Sequence, residues 1–133
     1  GVVVSTKALR SIRIEERGGG RAAIRAEAGA SLTEVVALAA REGLAGIEFG
    51  AGIPGSVGGG IRMNAGAWGS EMKDVLESVD LLNGEGNVRT CPRAALRFEY
   101  RNFDLPEGLA PGPHTLAIAL GRRNFAPTAI EVV

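Results

Sequence analysis

The sequence predicts an α+β fold, a largely antiparallel sheet with a few packed helices. Three observations carry that expectation. Short runs of alternating apolar and polar residues are joined by tight glycine or Asn-Gly turns, and only one stretch has a full helical signature. Strands outnumber helices, and short hairpins dominate.

Val2 to Val4 is short, β-branched and apolar, and reads as a strand. Ser11 to Glu16 alternates Ile12 and Ile14 with Ser11, Arg13 and Glu15. Beyond Gly18-Gly19-Gly20, Ile24, Ala26 and Ala28 alternate with Arg25 and Glu27, so the two runs form a hairpin with one buried face. Ser31-Leu32-Thr33-Glu34 is a capping box, followed by Val35, Val36, Leu38 and Ala39 at helical spacing and by Gly43 as the helix stop. Asp74 to Leu82 reads as a strand with Val75, Glu77, Val79 and Leu81 on one side. Asn83-Gly84 then turns the chain into Asn87 to Cys91. Pro92 to Leu96 suits one or two helical turns, and Thr115 to Leu120 a last core strand.

The 133 residues make about one domain, with enough length for a real core. Fifteen basic residues balance fifteen acidic ones, so nothing in the charge steers the chain to nucleic acid or anionic lipid. No apolar run approaches the ~20 residues of a membrane span. One cysteine and one histidine cannot build a disulfide framework or a His/Cys metal cage. The first ten residues are apolar before they are basic, unlike a signal peptide, and a cytoplasmic setting is expected.

Glycine is the outlier at 20 of 133 residues. Ten of these fall among the 27 residues from Gly43 to Gly69, where only Glu48 and Arg62 are charged. A flexible linker would carry serine and charge, whereas this segment holds Ile47, Phe49, Ile53, Val57, Ile61, Met63 and Trp68; it reads as packed backbone. Gly50 to Gly55 satisfies G-x-G-x-x-G. That fingerprint requires a helix directly after it, and Ser56-Val57-Gly58-Gly59-Gly60 is a poor first turn at about 1 kcal/mol per glycine. With no βαβ unit around it, a Rossmann site is not expected, and no Walker lysine follows either. What the glycines offer is backbone N–H groups free to approach a flat ring or a phosphate; the other reading is tight turns and close packing.

The order of residues adds to that choice. Gly46-Ile47-Glu48-Phe49-Gly50-Ala51-Gly52-Ile53-Pro54-Gly55-Ser56-Val57-Gly58-Gly59, then Met63-Asn64-Ala65-Gly66-Ala67-Trp68-Gly69, resembles the UDP-N-acetylenolpyruvoylglucosamine reductase family. Glu71 to Leu76 and Phe98-Glu99-Tyr100-Arg101 resemble it in the same order, and the likeness spans roughly Val2 to Leu120. The resemblance implies an FAD enzyme that uses NADPH to make UDP-N-acetylmuramate for peptidoglycan, and so serves cell-wall biogenesis, cell shape and division. The fold it implies is the second half of that family's FAD-binding domain, over residues 1–121, with 122–133 a tail of unknown role. Cofactor contacts would fall at Ile53, Pro54, Gly55, Ser56, Gly59, Asn64, Ala65 and Gly66. Tyr100 would help seat the UDP-sugar substrate, and Arg101 would polarise its enolpyruvyl carboxylate, where a fixed guanidinium stabilises growing negative charge.

The resemblance also implies a phosphate-cradling loop before Gly1, and a proton-donating serine and a glutamate after Val133. The chain is therefore expected to be a fragment or truncated relative, inactive by itself as a reductase. Asn102-Phe103 after Tyr100-Arg101 departs from the basic or polar residue and serine usual there. The competing expectation is a non-catalytic binding or structural module derived from the same fold. Sheet edges that have lost neighbours could pair two chains into a dimer. Cys91 reads as a packing residue, His114 as a solvated turn, Trp68 as either a flavin-stacking or a part-buried core aromatic, and Glu71 with Asp74 as a solvated turn.

Overall fold

The computed structural model describes residues 5–82, 87–104 and 115–122, with the side chains of Leu82 and of 115–122 outside that description. The expected Val2–Val4 strand, the Asn83-Gly84 turn, His114 and all of the tail but Arg122 lie outside the described residues.

The hairpin forms as its alternation dictates: β1 (Ile12–Gly18) pairs antiparallel with β2 (Arg21–Glu27). Its turn uses Gly18, Gly19 and Gly20, all at positive φ, where glycine has no steric penalty. Helix α1 (Leu32–Arg41) starts at Ser31, whose hydroxyl accepts the Glu34 N–H at 3.4 Å, and Gly43 follows its last turn at φ 68°. A two-residue strand β3 (Leu44–Ala45) leads into the glycine-rich segment.

Two expectations are corrected here. The stretch judged too glycine-rich for a helix opens one, α2 (Val57–Arg62), capped by Ser56 Oγ on the Gly59 N–H at 3.1 Å. Packing overrides propensity: Val57, Gly60 and Ile61 are buried, and a Cβ at Gly58 would lie 2.9 Å from that of Ala28. The strand expected from Asp74 starts only at Leu76. The short strands β4 (Gly66–Ala67) and β5 (Ser70–Glu71) form a tight hairpin, and α3 (Met72–Val75) is one helical turn, started by the Asp74 carboxylate accepting the Glu71 N–H at 2.9 Å. The sequence pair Glu71/Asp74 is thus a helix start.

Strands β6 (Leu76–Leu82) and β7 (Val88–Pro92) make the second hairpin, followed by a single 3-10 turn over Arg93–Ala95. Glu77 does not share a side with Val79 and Leu81. The pairing of β6 with β10 (Thr115–Arg122) skips Glu77 as a bulge, which frees its carboxylate to meet Arg17 at 2.7 Å. The main sheet runs β1-β2-β10-β6-β7, every pair antiparallel, with β3 against the end of β10. The α+β expectation is met.

One face of that sheet carries Ala22, Ile24, Ala26, Val79, Leu81 and Cys91 into a core with Leu32, Val35, Val57, Ile61, Met72 and Val75 from the three helices. Cys91 is a packing residue there, as its isolation suggested. The other face is closed by ion pairs: Glu15 with Arg25 at 2.9 Å and Arg17 at 3.2 Å, and Arg25 with Asp80 at 3.3 Å. A separate two-stranded hairpin, β8 (Arg97–Glu99) and β9 (Asn102–Asp104), stands off the sheet with Tyr100 and Arg101 at its turn.

Candidate functional site

The glycine-rich segment is fixed before anything binds it. The N-termini of α1 and α2 are pinned together: the Leu32 N–H donates to the Gly55 carbonyl at 3.0 Å and the Val57 N–H to that of Ala30 at 2.8 Å. Gly58 donates to Ala28 at 2.9 Å and Gly59 to the Ser56 hydroxyl. Every N–H of the first turn of α2 therefore has a protein partner. The Rossmann fingerprint fails for this reason as well as for its antiparallel surroundings, because the helix start has no N–H left for a phosphate.

The open surface lies at the other end of α2. A cavity of about 550 Å3 is lined by Ile53 and Met63, by the run Asn64-Ala65-Gly66-Ala67, by Gly69-Ser70-Glu71, and by Tyr100 and Arg101. Its floor is backbone with very small side chains, because the β4–β5 hairpin leaves no room for larger ones. A Cβ at Gly66 would lie 2.5 Å from the Ser70 carbonyl oxygen and 2.8 Å from Glu71 Cγ. A floor of this kind lets a flat ring approach main-chain groups directly, and the volume is that of a ligand cleft.

Of the ten residues expected at the site, six line this cavity: Ile53, Asn64, Ala65, Gly66, Tyr100 and Arg101. Pro54, Gly55, Ser56 and Gly59 do not; they form the turn and first residues leading into α2, where the Ser56 hydroxyl is engaged as a cap. Asn64 is buried, and its amide ties two elements together, accepting the Lys73 N–H at 3.0 Å and donating to the Glu99 carbonyl at 3.1 Å. Its contribution to the cavity wall is consequently main chain. Trp68 is 93% exposed at the tip of the β4–β5 hairpin, so the core reading of that residue is wrong.

Tyr100 is 78% exposed, and the Arg101 guanidinium lies over its ring at 5.2 Å, with no hydrogen bond or ion pair of its own among the described residues. Arg101 holds φ 53°, a conformation costly for a long side chain and favoured mainly by glycine and asparagine. Asn64 (φ 43°) and Trp68 (φ 57°) are the other two non-glycine residues at positive φ among those described. All three line or border this one cavity, and such backbone persists only where surrounding contacts over-determine it.

Two arginines outside the expected set supply part of that determination. Arg62, at the end of α2, donates from one nitrogen to Asn102 Oδ1 at 2.8 Å and to the Phe103 carbonyl at 2.9 Å. Arg93 donates to the carbonyls of Lys73 and Leu96, at 2.8 and 3.0 Å, and lies over the Phe98 ring. The one signal for Arg62 in the sequence is its standing as one of only two charges in the glycine-rich segment.

A protein-family model described as "FAD binding domain" matches residues 1–92. The chain belongs to the FAD binding domain family. Within it, the chain is 46% identical over all 133 residues to the UDP-N-acetylenolpyruvoylglucosamine reductase of Syntrophus aciditrophicus, and 45% identical over 108 residues to that of Petrotoga mobilis. It spans 43% and 35% of those two proteins, so less than half the length of either. The crystal structure of UDP-N-acetylenolpyruvylglucosamine reductase from Thermus caldophilus matches 72% of this chain and 35% of that one, at a TM-score of 0.61 and 38% identity. The resemblance read from the motif is thereby borne out, for the FAD-binding part of such a reductase. Among the described residues no helix is long and apolar enough to cross a membrane.

Proposed function

We propose that this FAD-binding domain segment presents the flavin-facing wall of a reductase that converts UDP-N-acetylglucosamine enolpyruvate to UDP-N-acetylmuramate with NADPH, in cytoplasmic peptidoglycan synthesis. The observation that carries the reading is the shared cavity. It sets Asn64-Ala65-Gly66, a floor fit for a flat ring, beside Tyr100 and Arg101, an exposed ring and a cation unpaired among the described residues. A bound flavin would supply the hydride. The chain's own residues do the rest of what is assigned here: the main chain of Ala65 and Gly66 lets the ring approach, and Ile53 and Met63 offer it apolar contact. Tyr100 gives the sugar nucleotide a flat, hydrogen-bonding surface. Arg101 holds the enolpyruvyl carboxylate and stabilises the negative charge that builds toward it as the double bond is reduced.

Because the chain spans less than half the length of the reductases it matches, the 133 residues alone are expected to bind flavin weakly and to turn over no substrate. The test is an FAD titration followed by flavin fluorescence and visible absorbance. Saturable binding that Gly66→Val abolishes, in a variant still folded by circular dichroism, supports the reading. Binding indifferent to Gly66→Val would place the flavin elsewhere. Turnover by the isolated chain at an ordinary enzymic rate would overturn its assignment as an incomplete catalyst. Pairing of chains through the sheet edges is proposed alongside, and sedimentation showing monomer alone at high concentration would remove it.

A further inference from the structure

We infer that Arg62 is a positioning residue for Arg101, holding the Tyr100–Arg101 turn at a fixed place relative to the cofactor-facing segment. The inference rests on the reading of Arg101 as substrate-facing. Among the described residues the β8–β9 hairpin shares no ladder with the main sheet, so its place depends on side chains. Two of these come from one short stretch and grip the turn from both sides. Asn64 donates to the carbonyl of Glu99, the residue before Tyr100. Arg62 donates to the side chain of Asn102, the residue after Arg101, and to the Phe103 carbonyl. The clamp thus belongs to the same short stretch whose next residues, Met63 to Gly66, line the cavity.

The geometry also explains how a left-handed arginine persists. Glu99 and Asn102 pair across the hairpin, and with both held from outside, the two residues between them must close the turn in the space left. Phe103 is buried and stacks on Phe98 at 4.7 Å, which fixes the base of the hairpin but not its tip. The tip is where the clamp acts. Arg62 is exposed overall, so its loss removes hydrogen bonds to the hairpin rather than core volume.

The chain contains one tyrosine and one tryptophan, Tyr100 at the turn and Trp68 between the cavity-lining residues Ala67 and Gly69. Energy transfer from Tyr100 to Trp68 therefore reports where the turn stands without any label. Arg62→Ala is expected to lower that transfer, and to speed amide exchange at Tyr100, Arg101 and Asn102 by about tenfold while β1 and β2 exchange as before. Arg62→Lys is expected to restore most of both, because the two bonds leave from a single nitrogen. Asn102→Ala tests the same clamp from the other side and serves if Arg62→Ala does not fold. Wild-type transfer and exchange in both alanine variants would overturn the inference. So would exchange that rises equally throughout the sheet, since Arg62 would then stabilise the fold without placing the turn.

A calorimetric titration of the FAD-loaded protein with UDP-N-acetylglucosamine enolpyruvate separates the inference from the reading beneath it. Arg101→Ala is expected to weaken binding by about tenfold or more, Arg62→Ala by less, and the double variant no further than Arg101→Ala alone. Unchanged affinity in Arg101→Ala would sink the substrate-facing reading. Weakened affinity there with none in Arg62→Ala would sink only the positioning role.

Discussion

The sheet and the cavity are built on opposite terms. In β1, β2 and β6, side chains carry the structure: Ile24, Val79 and Leu81 are buried on one face, and Glu15, Arg17, Arg25, Glu77 and Asp80 close the other through ion pairs. Around the cavity the main chain carries it. The floor is Ala65, Gly66 and Ala67, three non-glycine residues at or beside the cavity hold left-handed backbone, and the clasps are amide and guanidinium hydrogen bonds to carbonyls. A sheet face keeps its shape as long as its pattern survives, whereas the cavity depends on particular residues at particular dihedral angles.

Removing core volume from the sheet should produce the largest effect. Ile24 is fully buried, and Ile24→Ala is expected to cost about 2–5 kcal/mol in urea unfolding. The cavity should be unaltered in whatever remains folded, so FAD affinity extrapolated to the folded fraction should stay at the wild-type value. An affinity that falls with the stability would mean that sheet and cavity are one mechanical unit.

Asn64→Ala strikes the cavity side. It leaves the Lys73 N–H and the Glu99 carbonyl without their partner, about 1–3 kcal/mol, and puts alanine in left-handed backbone for about 1 kcal/mol more. Here the loss of flavin affinity should exceed what unfolding explains. Asn64→Gly, which keeps the dihedral angle and loses the bonds, apportions the two terms.

Acid sharpens the comparison from the sheet side. Hydrogen bonding to Arg25, with smaller help from Arg17 and Arg13, holds the Glu15 carboxyl below its usual range against the opposing effect of burial. A depressed carboxylate contributes stability that is present above the ordinary glutamate value, near pH 4, and is lost as pH falls through the lower folded value. Arg17, raised by Glu77, stays charged throughout. Glu15→Gln should flatten the acid limb of the unfolding midpoint by about 1 kcal/mol or less, the scale of a part-exposed pair. An unchanged acid limb would show that other carboxylates set it.

These contrasts also explain what could be read from residues alone. Period-2 alternation marked β1 and β2, the Asn-Gly pair marked the turn into β7, and Ser31 with Glu34 marked the start of α1, because those signals are local. The helix at Val57 was invisible: its justification is the space against Ala28 and the cap from Ser56, and propensity argued the other way. The bulge at Glu77 needed its partner Arg17, sixty residues distant in the chain. Similarly, the family motif indicated both walls of the cavity but not the clamp between them. Arg62 and Asn102 acquire meaning only when a hairpin 40 residues downstream folds back.

The smallest expected effect tests whether the cavity's backbone strain is stored or merely local. Trp68 is exposed, so its ring stabilises little, and its φ of 57° costs about 1 kcal/mol that glycine would not incur. Glycine in turn loosens the unfolded chain by about 0.4–1 kcal/mol, which nearly cancels the relief. Trp68→Gly should therefore shift the urea midpoint by less than about 0.5 kcal/mol. A clear gain in stability would mean that the β4–β5 turn forces tryptophan into this backbone more severely than its dihedral angle indicates. A clear loss would mean that the indole has a contact in solution, and the cavity rim beside Gly66 and Gly69 is where that contact should be sought, by comparing Trp68→Gly with Trp68→Phe.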